Sequence, residues 1–210
     1  MSRAVKTPLR RKELERQARR ALVIGAAELA FASAGFDRVS MAEIAQAVDL
    51  GMQALYALFP SKEALYEALL LDRLSVYRGR ADAVMRDARD AVEAMRGVAR
   101  VFAELFMTAP HFFPTYLREQ VNFAWGNASS FSDEVRRAYR AEEARLRKLI
   151  QRAIKEGAIP PGDAGLLTQL ALATFHATVS HYLGGELRPD VEDCATQAHQ
   201  AFMGAARALS

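Results

Sequence analysis

Apolar positions recur at three- and four-residue intervals along most of the chain, interrupted by short polar or Gly/Pro-containing breaks. The first such pattern predicts a helix from about Lys12 to Ala34. Leu22, Ala26, Leu29 and Ala30 form its expected inward stripe, and Gly35 stands where a C-terminal cap belongs. A second helix opens at Ser40, whose hydroxyl can cap a free backbone N–H while Glu43 reaches back three positions later. Ile44, Ala45 and Val48 face inward. A third spans roughly Gly51 to Leu58, anchored by Leu55, Leu58 and Phe59. Pro60 ends it, and Ser61 caps a long fourth helix containing Leu65, Ala68, Leu69 and Val76. Helical patterns then follow at about 90–108, 112–125, 132–157, 162–184 and 190–208, with breakers such as Pro110, Pro114, Gly157, Pro160 and Gly184 at their limits. Together with few β-branched residues, this predicts an all-α protein.

The turn between the second and third helices is only a few residues long and holds Asp49 and Gly51. After it come small or polar residues at Gly51, Met52, Gln53 and Ala54, backed by the apolar anchor. That is the form of a helix-turn-helix whose second helix is held from behind and offers its start to a DNA groove. Charge strengthens the reading. The net charge of the chain is only +3, but residues 1–20 hold eight Lys or Arg against Glu13 and Glu15, a local balance of +6. Residues 63–210 hold 18 basic and 19 acidic residues. One end is built to meet a polyanion and the remainder is not.

From this we expect a flexible basic arm at 1–11, a helix-turn-helix DNA-binding domain at 12–62, and a helical effector-binding and dimerisation domain at 63–210. The fourth helix joins the last two. Nothing in the chain reads as a membrane span, and no apolar run precedes Ala21, so a cytoplasmic protein is expected. The single cysteine, Cys194, reads as a small buried hydrophobe and permits no intrachain disulfide.

Residues 20–66 resemble the TetR family of transcriptional regulators. The small and bulky residues before the first turn are matched by Ala26, Ala27, Leu29, Phe31 and Gly35, and the Ile-Ala pair of the second helix by Ile44 and Ala45. The Leu-Tyr-x-x-Phe of the recognition helix is matched by Leu55, Tyr56 and Phe59, and Lys-Glu-x-Leu by Lys62, Glu63 and Leu65. There are departures: Asp49 stands where a turn Gly is usual, Gly51 where Ser or Thr often caps, Ala54 for a phosphate-reaching Thr, and Ala57 for a His. They bear on operator recognition rather than on the module itself.

The resemblance implies a phosphate contact for the Tyr56 hydroxyl. Lys62 is expected to add a charge near free backbone N–H groups. Gln53 is the candidate base reader, since an amide can pair two-pronged with adenine, and Met52 faces a thymine methyl or simply covers surface. Ser40 divides between capping and a DNA backbone contact. Arg10, Arg11 and Lys12 are expected along the backbone or in a minor groove.

The middle of the chain is dense in rings. Phe102, Phe106, His111, Phe113, Tyr116 and Trp125, with His176 further on, are candidates for an apolar or aromatic effector site; ordinary core is the other reading. The last two helices carry enough apolar surface either to finish a monomer core or to form half of a four-helix dimer contact. Leu170 and Phe202 are candidate contacts in the second case. No metal-ligand spacing, Gly-rich phosphate loop or nucleophile motif stands out, and neither a cofactor nor enzyme activity is expected. The combined expectation is a homodimeric, ligand-responsive regulator that binds a palindromic operator in double-stranded DNA, acting as a repressor. The alternatives are an activator of the same fold or an all-helical adaptor that binds no DNA.

Overall fold

A computed structural model describes residues 8–114, 116–117, 131–184 and 190–209. The described residues are helical with no strand, in the order α1 (Pro8–Ala34), α2 (Met41–Ala47), α3 (Met52–Leu58), α4 (Lys62–Asp87), α5 (Ala91–Thr108), a 3₁₀ turn (Pro110–Phe112), α6 (Asp133–Lys155), α7 (Ala164–Gly184) and α8 (Val191–Ala208). They divide into two compact units, one ending at Leu70 and the other beginning at Leu71. The division falls inside α4, later than the expected limit at residue 62.

In the first unit, helix α1 is already helical at Pro8, where the described residues start, ahead of the expected Lys12. It ends at Gly35, which adopts φ +82° and returns its N–H to the Phe31 carbonyl at 2.8 Å. The inward stripe of α1 is a correction to the expected one. Val23, Ala27 and Phe31 are the buried positions, whereas Leu22 is 65% and Leu29 74% exposed. Phe31 sets this rotation, packing against Phe36 and Tyr66 at ring separations of 5.5 Å. Val76 of α4 is half exposed.

In the second unit, α5, α7 and α8 pack along one another, and α6 lies against α5 and α7. Their shared core contains Met95, Ile150, Ile159, Leu167, Phe202 and Met203. Where α4 meets α5, Gly97 leaves room for Val84; a Cβ at residue 97 would collide with Val84 Cγ1. The caps follow local chemistry: Asp90 accepts from Glu93 N at 2.8 Å, and Asp190 from Glu192 N at 3.1 Å. Among the described residues no helix is long and apolar enough to cross a membrane.

Candidate functional site

The turn between α2 and α3 is tight because Asp49 adopts φ +51°, a left-handed conformation that Asp tolerates better than most residues. Its flanks are anchored: Leu50 N donates to the Ala45 carbonyl at 2.9 Å, and Leu55 N to the Gly51 carbonyl at 3.1 Å. Gly51 takes the N-cap position of α3 with extended backbone and offers no side-chain cap. Leu55 and Phe59 are buried, while Gly51, Met52, Gln53, Ala54 and Tyr56 are exposed; Tyr56 is 47% exposed. One side of α3 is therefore fixed to the scaffold, and its small and polar residues face solvent.

Ser40 caps α2 through a complete capping box. Glu43 N donates to Ser40 Oγ at 3.2 Å, and Ser40 N donates to Glu43 Oε2 at 2.7 Å. The Ser40 hydroxyl also donates to Glu43 at 2.8 Å. These hydrogen bonds from Ser40, the backbone one foremost, hold the Glu43 carboxyl below its usual range. Lys62 is placed differently from its expected role beside free N–H groups. Its Nζ donates to the Phe36 carbonyl at 2.9 Å and the Val39 carbonyl at 3.1 Å, and it lies 4.4 Å from the centre of the Phe36 ring. The ammonium thus closes the α1–α2 connection.

Arg20 reads in the sequence only as part of the basic end. In the fold its Nη1 donates to the Leu58 carbonyl at 2.7 Å, satisfying the last turn of α3, and the guanidinium stacks 4.3 Å from the Phe59 ring centre. Of the basic residues nearest the N-terminus, Arg11 and Lys12 are exposed, and Arg11 pairs with Glu15 at 2.8 Å. The Arg10 side chain lies outside the described residues.

Residues 23–69 match the model of the family described as bacterial regulatory proteins, tetR family. That match spans the whole helix-turn-helix and the start of α4. Over those residues this chain is similar to the tetR family. Solved structures share the fold over nearly their full length. The fatty acid degradation regulator FadR from Bacillus halodurans matches with a TM-score of 0.74 at 17% identity, over 90% of this chain and 96% of that one. FadR from Bacillus subtilis, in complex with stearoyl-CoA, gives 0.71 at 18% identity over 87% and 97%. The ketosteroid transcriptional regulator KstR2 of Mycobacterium tuberculosis gives 0.67 at 20% over 89% and 94%. None of the curated proteins matches the chain.

The second unit brings most of the candidate rings together. The Phe102 ring centre lies 4.8 Å from Phe106, 5.8 Å from Tyr116 and 4.5 Å from Phe175. Phe113 stands 5.1 Å from Phe106. His176 Nε2 lies 3.3 Å from the Tyr116 hydroxyl, and burial pushes the imidazole down to about 4, so it is neutral at pH 7. Tyr77, Tyr139 and Phe175 also join this ring cluster and carry no signal of it in the sequence, because they lie on helices outside the ring-dense stretch. His111 is partly buried in the 3₁₀ turn that precedes Phe113. Trp125 lies outside the described residues.

The two dimer candidates differ in exposure. Phe202 is only 5% exposed and belongs to the protomer's own core; Leu170 is partly buried against the same core. The interior of the second unit has taken Leu167 and Val179 of α7 and Phe202 and Met203 of α8. Among the residues these helices leave exposed are small ones, Ala173 and Ala177 on α7, and Ala201, Gly204 and Ala208 on α8, alongside Leu166 and several polar side chains. Each set follows helical spacing along one face.

Proposed function

We propose that this protein is a ligand-responsive transcriptional regulator that binds a palindromic operator as a homodimer and is released from it by an apolar or aromatic effector. The observation that carries the reading is α3, exposed at Met52, Gln53, Ala54 and Tyr56 and fixed from behind by buried Leu55 and Phe59. Gln53 reads a base, Tyr56 contacts a phosphate, and the positive charge of residues 1–20 follows the backbone. Met52 and Ala54 lie against base edges, while Gly51 and Ser40 let the backbone come close.

Dimerisation is needed because one short helix reads one half-site; two copies on successive turns need recognition helices about 34 Å apart. The exposed small faces of α7 and α8 suit such a contact, since small side chains let helices approach closely. The effector reading is supported by the ring cluster around Phe102, Phe106, Phe113 and Tyr116, with the His176–Tyr116 pair as a polar anchor. Structures of the same fold include one in complex with stearoyl-CoA and one described as a ketosteroid regulator, both apolar-bodied chemistries. Effector and operator binding are linked only if the effector prefers one of the two dimer arrangements. Repression follows where the operator overlaps a promoter.

Selection from a randomised duplex pool, followed by sequencing, tests the reading. The wild type should enrich a palindromic motif. Gln53→Ala should cost roughly 1–3 kcal/mol on that motif and relax one base pair in each half-site. A pool left unenriched, or an unchanged motif with Gln53→Ala, contradicts the assignment.

A further inference from the structure

A cleft of about 550 Å³ opens between α4 and α6, within the size range of small-molecule sites. Its floor is apolar, formed by Leu71 and Leu74 of α4 and by Ala138 and Ala141 of α6. None of the rings of the Phe102 cluster lines it. Two guanidinium groups do, Arg78 and Arg137.

The two arginines differ in a way that matters. Arg78 is tethered: its Nε donates to Glu142 Oε1 at 2.6 Å, and Glu142 in turn lies 3.5 Å from Arg145. This leaves the terminal Nη groups of Arg78 uncommitted among the described residues and holds its planar fork in place. Arg137 is exposed and has no ion pair or hydrogen bond among the described residues. Glu134, one turn earlier, also lines the cleft and opposes an anion, but it is exposed and its charge is screened by solvent.

We propose that this cleft binds a small organic monoanion with an apolar body. Its carboxylate sits between Arg78 and Arg137, where guanidinium forks match carboxylate geometry, and its body covers Leu71, Leu74, Ala138 and Ala141. The proposal stands apart from operator binding, because it requires no DNA and none of the α3 residues.

The test uses 1-pyrenebutyrate and its uncharged amide as probes, titrated against the full chain by fluorescence anisotropy. The acid should bind once per chain and at least tenfold more tightly than the amide. Arg137→Ala should remove most of that difference, and Glu134→Gln should tighten the acid a few-fold. Ala141→Trp, at an exposed position, should exclude both probes while thermal melting stays unchanged. Phe102→Ala, in the ring cluster, should leave acid binding intact. Equal affinity for acid and amide would overturn the proposal. So would acid binding that survives both Arg137→Ala and Ala141→Trp, or that is lost only with Phe102→Ala, which would place the anion among the rings.

Discussion

Residues whose partners lie within one helical turn are legible in the sequence alone. The Ser40–Glu43 capping box and the left-handed Asp49 follow from local chemistry, and both are present. Lys62 and Arg20 are not legible in that way, because their acceptors are backbone carbonyls 26 and 38 positions away. A charge in sequence shows its sign but not its partner. His176 illustrates the same limit with a measurable consequence. Its folded pKa is depressed to about 4 by burial, below the ordinary value near 6.5. Between these values the unfolded chain holds the extra proton, so stability rises with pH across this window. The contribution is full above pH 6.5 and is lost as pH falls toward 4, with a slope of at most about 1.4 kcal/mol per pH unit. Urea denaturation from pH 4 to 7 should show that slope in the wild type and a shallower one in His176→Phe. Equal slopes would mean that the imidazole is not held neutral in the fold.

At the scale of elements, helix identity is clear from the sequence and helix rotation is not. Leu22 and Leu29 lie on the outer side of α1, one position before buried Val23 and two after buried Ala27 respectively. Periodicity alone cannot choose between adjacent stripes when both contain apolar residues. The ring contacts of Phe31 with Phe36 and Tyr66 decide it, and they depend on tertiary packing. The α1–α2 connection is held by Lys62, which gives an element-level test of that residue's role. Lys62→Ala leaves the Phe36 and Val39 carbonyls without their charged donor and should lower unfolding stability by about 1–3 kcal/mol. Urea denaturation reads this without DNA. Unchanged stability together with weaker binding to every duplex would return Lys62 to a phosphate contact.

The whole molecule shows why the two ends of the chain are unequally legible. The DNA-binding unit is a short-range motif with dense local signals, and its outline is visible in 47 residues. The second unit is built from long-range helix packing, and its large apolar residues read equally well as core or as interface. Phe202 went to the core. The proposed dimer is therefore placed on the small-residue faces of α7 and α8. Ala177→Glu or Ala201→Glu, both at exposed positions, should convert a dimer of about twice 23.2 kDa to a monomer by light scattering, with thermal melting of the protomer little changed. A wild-type monomer with full operator affinity would defeat the dimer reading. So would variants that stay dimeric, as far as these faces are concerned.

The central claim is specific, charge-assisted recognition of duplex DNA, and a salt titration of affinity tests it most directly. Fluorescence anisotropy would follow the selected duplex and a scrambled duplex of equal length from low to high salt. Each phosphate neutralised should add about 0.9 to the slope of log affinity against log salt on both duplexes. The selected duplex should remain the tighter at every salt concentration, because base contacts release few ions. Equal affinity for the two duplexes throughout, or binding indifferent to salt, would contradict the account.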